Sequence, residues 1–98
     1  MKVKYANGDL ERLVTDIDFT DGRGFQIVRA FRKRIQFIEA AMDERDFYAM
    51  KSLRFEKLSG KRAHQHSMRL NDQWRLIVEI EPGVPKNTIV VVSIEDYH

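Results

Sequence analysis

The chain has 98 residues, of which 43% are hydrophobic and 33% are charged. A chain of this length buries roughly 60–65% of its unfolded surface, so we expect one domain over residues 1–98 with a modest core and no bound cofactor. The absence of cysteine excludes disulfides, thiol nucleophiles and cysteine-ligated metals such as zinc fingers and iron–sulfur clusters. The longest aliphatic run, residues 89–92, is far shorter than the ~20 residues of a membrane helix. We therefore expect a cytoplasmic protein with no membrane partner and no signal peptide.

Positive charge is concentrated in one part of the chain. The 17 basic and 15 acidic residues give a net charge of only +2. Residues 51–75 hold seven basic and two acidic residues, a local charge of +5 that leaves −3 for the other residues. Such a segment either attracts phosphate-bearing partners or is an ordinary solvated surface.

The first half of the chain is predicted to contain a short strand and two helices. Residues 3–5 suit a strand, the polar side chains of Asn7 and Asp9 can cap a short helix, and residues 16–24 form a loop. The strongest helical pattern follows, with apolar residues three or four positions apart on one face: Ile27, Phe31, Ile35, Ile38 and Met42, widened by Val28 and Phe37. The solvent-facing sides are assigned to Arg29, Arg32, Lys33 and Glu39. Residues 43–50 are predicted to form a separate helical turn.

The second half alternates between apolar and polar residues, which is typical of strands. Three strands are predicted, over residues 66–70, 74–80 and 88–95. The last is apolar on both faces in its first half, which predicts an interior strand covered on both sides. The order of elements predicts an α+β domain, in which two to three helices pack on one face of a mainly antiparallel sheet of about four strands.

The turn at residues 71–73 decides which side chains share a face of the predicted hairpin. A two-residue loop would mix apolar and charged residues on both faces. A three-residue loop pairs Leu70 with Trp74 and also brings together Met68 with Leu76 and His66 with Val78. Because a slip of one residue turns over every side chain, burial favours the three-residue loop.

This register places Arg69 directly opposite Arg75, and like charges in that position destabilise a sheet. A phosphate bridging the two guanidinium groups would replace repulsion with charge-assisted hydrogen bonds. The alternative is that both arginines extend into water or pair with Glu79 or Glu95. At the carboxyl end, Tyr97 can stack on a base and His98 can transfer a proton, or both belong to an ordinary polar terminus.

Three motifs together resemble the HigB-like branch of the RelE toxin superfamily: Leu58-Ser-Gly-Lys-Arg62, Ser67-Met-Arg-Leu-Asn-Asp-Gln-Trp-Arg75 and Asp96-Tyr-His98. The resemblance covers the whole chain and implies a RelE-like fold. It also implies a type II toxin that cuts messenger RNA on the ribosome without a metal, by attack of a ribose 2′-hydroxyl on the adjacent phosphate. The implied partners are a HigA-like, helix-turn-helix antitoxin, the ribosome and its messenger, and operator DNA bound through the toxin–antitoxin complex.

The resemblance also implies roles for individual residues. Arg75 would stabilise the charge of the transition state, Tyr97 and His98 would stack on a base or transfer protons, and Asp96 would orient its neighbours. RNA binding is expected from Arg54, Lys57, Lys61, Arg62, His64 and Arg69. The chain departs from some members of the family in carrying Glu56 and Ser59 at positions where those members have a histidine and a lysine. The general base is therefore left open, with His64 as a candidate and His66 as a weaker one because its register turns it toward the core.

Two other functions fit the same resemblance or composition. One is a toxin of this fold that blocks another macromolecule, such as gyrase, without cutting RNA. The other is a nucleic-acid-binding module with no toxicity. The terminal pair of Tyr97 and His98 argues for the nuclease.

Overall fold

The computed structural model describes residues 1–96, which form five strands, three α-helices and two short 3-10 turns. The elements in chain order are β1 (Lys2–Tyr5), α1 (Gly8–Thr15), α2 (Phe25–Ala40), α3 (Arg45–Ala49), the first 3-10 turn (Lys51–Leu53), β2 (Glu56–Lys57), the second 3-10 turn (Gly60–Arg62), β3 (Gln65–Arg69), β4 (Trp74–Glu81) and β5 (Thr88–Asp96). No helix within residues 1–96 is long and apolar enough to cross a membrane.

The five strands form one sheet in the order β1-β5-β4-β3-β2. β1 runs parallel to β5, and the other neighbours are antiparallel. The predicted α+β architecture is confirmed, and β5 is an interior strand as predicted. The predicted number of about four strands is one too low, because β2 has only two residues. A two-residue strand is too short to show an alternating pattern.

The core lies between the helices and one face of the sheet. Leu10 and Leu13 of α1 pack with the α2 stripe and with buried residues of β3, β4 and β5. The Asn7 side chain caps α1 by accepting a hydrogen bond from the backbone N–H of Leu10 at 3.0 Å, as the sequence predicts.

Met42 is the one residue of the predicted helical stripe that does not face the core. The other four residues of the stripe are buried, whereas Met42 is 65% exposed. The cause is the end of α2 at Ala40: Ala41 adopts an extended backbone, with φ −67° and ψ 146°. Beyond that residue the helical spacing no longer determines which side chains face the core.

Arg32 also differs from its predicted place on the solvent-facing side of α2. Its guanidinium donates hydrogen bonds to backbone carbonyls at the end of α1 and in the following loop: 2.7 Å to Leu13, 3.4 Å to Asp16, 3.1 Å to Ile17 and 3.3 Å to Phe19. The last carbonyls of a helix have no partner within the helix. Arg32 supplies hydrogen-bond donors to these carbonyls and so connects α1, the loop that follows α1, and α2.

The predicted three-residue hairpin is confirmed. Met68 pairs with Leu76, His66 with Val78 and Arg69 with Arg75, and the backbone N–H of Leu70 donates to the carbonyl of Trp74 at 2.9 Å. The Asn71 side-chain oxygen holds the turn by accepting from the backbone N–H groups of Gln73 and Trp74, at 2.9 and 2.8 Å.

Candidate active site

The face of the sheet opposite the core, here called the open face, carries the alternate side chains of β3, β4 and β5. The buried residues of the three α-helices all belong to the core on the other side of the sheet, and the predicted cover of the second face of β5 is partial, since Val90 opposite Glu79 is half-buried. Ile77 is also shielded on this face, because it is only 2% exposed and yet stands outside the core cluster. Ser67 and Ser93 are its partners on the neighbouring strands.

A row of three charged residues crosses the open face beside the hairpin. Arg75 of the central strand β4 lies between Arg69 on β3 and Glu95 on β5. Arg69 forms an ion pair with Asp72 of the turn, rather than with Glu79 or Glu95. The arginine pair inferred from the hairpin register is therefore present, with a carboxylate directly across from Arg75.

Arg62 of the second 3-10 turn reaches the same row from a distant part of the sequence. Its two terminal nitrogens donate to the two carboxylate oxygens of Glu95 at 2.9 and 2.7 Å, and its Nε donates to Gln65 at 2.9 Å. Ser93 Oγ also donates to Glu95, at 2.7 Å. These hydrogen bonds lower the pKa of Glu95, chiefly through Arg62, so Glu95 is a carboxylate at neutral pH.

The other residues predicted to bind RNA lie around this face or at its edge. His64 Nε2 is 3.7 Å from a carboxylate oxygen of Glu79 on β4. Lys57 on β2, Lys61 in the second 3-10 turn and Arg54 after the first turn are all exposed. Glu56, at the position where the family pattern varies, pairs with Ser67 at the edge of the sheet.

The predicted residues at the carboxyl end are only partly described. Asp96 pairs with Trp74 at the end of β5, and its carboxylate accepts a hydrogen bond from Gln73 Nε2 at 3.2 Å. This places Asp96 one position along the ladder from the pair of Arg75 and Glu95. Tyr97 and His98 lie outside the described residues.

His66 lies on the core side of the sheet, as the hairpin register predicts. Its ring stacks on Phe55 with ring centres 4.8 Å apart and planes 10° apart. Its buried Nδ1 has no hydrogen-bond partner among the described residues. Burial and, to a smaller extent, Lys57 lower the pKa of His66. His66 is thereby neutral at pH 7 and packed against Phe55, whereas the His64 side chain is exposed.

The lowered pKa of His66 predicts a loss of stability in mild acid. An unfolded histidine takes up a proton near pH 6.5, whereas folded His66 does so only at lower pH. Between these two values the unfolded state binds more protons, so the free energy of unfolding falls as the pH falls. The His66→Phe variant keeps an aromatic ring against Phe55 but has no group that titrates there. Its free energy of unfolding, measured in urea at pH 7.5 and 5.5, is expected to fall less between the two pH values than that of the unsubstituted protein.

Tyr48→Phe provides the matched control, since Tyr48 also has its ring against Phe55, with ring centres 4.9 Å apart, and the change removes no histidine. We expect its pH dependence of unfolding to follow that of the unsubstituted protein. An unchanged pH slope in the His66→Phe variant would contradict the assignment of this slope to His66.

The fold is that of a small toxin. The structure of the YoeB/ParE toxin from Agrobacterium tumefaciens matches with a TM-score of 0.62, over 100% of both chains and at 14% sequence identity. The family model described as the RelE-like toxin of type II toxin-antitoxin system HigB matches residues 3–98, so the chain belongs to the HigB-like toxin family. No curated protein matches the sequence. Membership of the family implies a cognate antitoxin as a partner.

Sequence reasoning identified the cations of the open face but not their internal partners. Neither the contact of Arg62 with Glu95 nor that of Gln65 with Glu79, at 3.0 Å, was predicted. Arg62 and Glu95 are 33 positions apart, and no local pattern reports a contact over that separation. Extending the predicted register by one pair beyond His66 and Val78 puts Gln65 opposite Glu79, which is the signal that could have suggested their pairing.

Proposed function

We propose that this toxin is a ribosome-dependent endonuclease of messenger RNA, acting in the cytoplasm within the single domain of residues 1–98. The observation that carries the proposal is the position of Arg75 on the central strand of the sheet, on the face opposite the core and at the cross-strand position next to a second arginine, Arg69. A guanidinium group in that place suits a phosphate that gains negative charge during reaction. Family membership supports the assignment.

In the proposed reaction the ribose 2′-oxygen attacks the neighbouring phosphorus atom. The bond from phosphorus to the 5′-oxygen breaks, which yields a 2′,3′-cyclic phosphate and a 5′-hydroxyl end. A base accepts the proton of the 2′-hydroxyl, an acid donates one to the leaving 5′-oxygen, and Arg75 stabilises the charge on the non-bridging oxygens.

The proton carriers are assigned by what each histidine touches. His66 is unsuitable because it stacks on Phe55 at the core side of the sheet. His64, near Glu79 on the open face, and the terminal His98 are the proposed acid–base residues. Tyr97 would stack on a base, and Asp96 would orient the terminal segment. Lys57, Lys61 and Arg62 would attract the RNA backbone, so association with the ribosome should weaken with salt.

The proposal is tested with purified toxin and ribosomes translating a defined messenger. We expect cleavage of the messenger at positions within the ribosomal A site, with 5′-hydroxyl and 2′,3′-cyclic phosphate ends, and reversal by the cognate antitoxin. Removal of His98 is expected to slow cleavage, since general acid–base catalysis contributes about 10²–10⁴-fold. Intact messenger together with inhibition of gyrase would contradict the proposal and favour a toxin that does not cut RNA.

A further inference from the structure

A second basic site lies at the edge of β3, beside the open face. A cleft of about 370 Å³ opens between the first 3-10 turn and the β3–β4 hairpin, and we call it the arginine cleft; its lining residues are Ser52, Arg54, Arg69, Asn71 and Asp72. The cleft exists because β2 pairs with β3 only at His66 and Ser67. Beyond Ser67 the neighbour of β3 is the 3-10 turn rather than a strand.

Two of the lining residues bring positive charge to the cleft. Arg69 is half-buried, and its partner Asp72 has a side chain that is 98% exposed. An ion pair with so exposed a carboxylate is weak, and another anion can replace it. Arg54 has a left-handed backbone, with φ +49°, which is unfavourable for a residue of this size and is found where surrounding structure enforces it, often at ligand sites.

Arg34 of α2 adds a third cation that sequence reasoning had not identified. Its Nε atom is buried and has no hydrogen-bond partner among the described residues. Burial and, to a smaller extent, the nearby positive charge of Arg69 lower the pKa of Arg34. Arg54 and Arg69 thus line the cleft beside one exposed carboxylate, and Arg34 lies near Arg69 without lining the cleft.

Neutral donors complete the lining. The Asn71 oxygen is occupied by two backbone N–H groups of the turn, so its Nδ2 atom is left as a donor, with no partner among residues 1–96. The Ser52 hydroxyl is exposed at the opposite wall. Planar guanidinium groups together with amide and hydroxyl donors match the oxygens of a phosphate.

We propose that the arginine cleft binds a backbone phosphate of the RNA strand other than the phosphate that is cut. Naming RNA as the ligand rests on the proposed function; the preference for a phosphate rests on the cleft itself. Arg69 connects the two sites, because it lines the cleft and is also the cross-strand partner of Arg75. A strand held in the cleft would reach Arg75 with its neighbouring phosphate, so the cleft is a positioning site.

The test separates binding from cleavage by using inorganic phosphate and a short 2′-O-methyl RNA, which lacks the attacking hydroxyl. Side-chain NMR signals of Arg54 and Arg69 are followed during titration. We expect both ligands to shift both signals with saturation. Arg54→Gln is expected to weaken binding of the oligonucleotide about tenfold, as for one charge-assisted hydrogen bond. Arg29→Gln, an exposed change on α2, is expected to change it less than about twofold.

A second variant guards against misfolding of Arg54→Gln. Ser52→Asp places a negative charge at the exposed wall of the cleft and is also expected to weaken oligonucleotide binding. Unmoved arginine signals, or equal effects of Arg29→Gln and Arg54→Gln, would overturn the proposal. Binding of phosphate without the oligonucleotide would overturn the assignment to RNA. If the cleft binds the oligonucleotide but translated messenger stays intact, this inference stands and the proposed nuclease function fails.

Discussion

Replacing Arg75→Gln is expected to lower the rate of messenger cleavage about 10²–10³-fold, the usual cost of removing one group that stabilises transition-state charge. Arg75 occupies the central strand between Arg69 and Glu95, so no neighbouring cation can move into its place without disturbing the sheet. The measurement is the single-turnover rate on ribosomes saturated with toxin, which separates chemistry from ribosome binding.

One further variant at this position separates the effect of geometry from that of charge, and a second variant at an exposed arginine elsewhere is the control. Arg75→Lys keeps the charge but loses the planar fork that contacts two phosphate oxygens, and we expect a rate between those of Arg75→Gln and the unsubstituted toxin. Arg45→Gln removes an exposed arginine of α3 that pairs with Asp43, and it should leave the rate unchanged. A rate for Arg75→Gln within about threefold of the original would contradict the role given to Arg75.

Arg75 could be placed before the structure was known because the hairpin is a local element. Of the two hairpin registers considered, only the one with a three-residue turn puts the apolar side chains of both strands on one face. Burial of that face also determines which side chains lie on the opposite face. The same short-range logic located α2 from its spacing and α1 from its cap at Asn7. Elements whose side chains repeat over several residues were therefore predicted correctly.

Contacts between distant segments could not be predicted in the same way. A helical pattern states which residues face water but not which backbone groups a long side chain can reach, so Arg32 was assigned to the solvent. The two residues of β2 carry no pattern of their own, and the arginine cleft depends on where that strand stops. Arg34 was overlooked for the same reason, since its neighbour Arg69 belongs to a strand far along the chain.

The open face contains carboxylates as well as cations, which bears on how RNA would bind. Glu95 holds Arg62 through two hydrogen bonds, and this pairing raises the pKa of Arg62. Arg62 is therefore positioned but partly neutralised, whereas Lys57 and Lys61 are exposed to solvent. We infer that the lysines contribute mainly to long-range attraction and that the arginines set the position of the strand.

The largest loss of stability from a single polar side chain is expected at Arg32. Arg32→Met keeps the aliphatic stem but removes the donors to four backbone carbonyls, the shortest of which is the 2.7 Å bond to Leu13. Hydrogen bonds from a charged group each contribute about 1.5–3 kcal/mol, and the other three bonds are longer, at 3.1–3.4 Å. We expect a loss of about 3 kcal/mol in the free energy of unfolding, which for a domain of this size lowers Tm by roughly 12–24 °C.

The loop after α1 should respond before the rest of the protein, because Arg32 is what ties its carbonyls to α2. In the Arg32→Met variant we expect faster amide hydrogen exchange and faster proteolysis within residues 16–24 than in the sheet. Arg29→Met is the matched control on the same helix: its side chain is exposed, so a change within about 0.5 kcal/mol is expected. Equal stability of the two variants would mean that water satisfies the loop carbonyls as well as Arg32 does, and that α1 is held in place by burial of Leu10 and Leu13 alone.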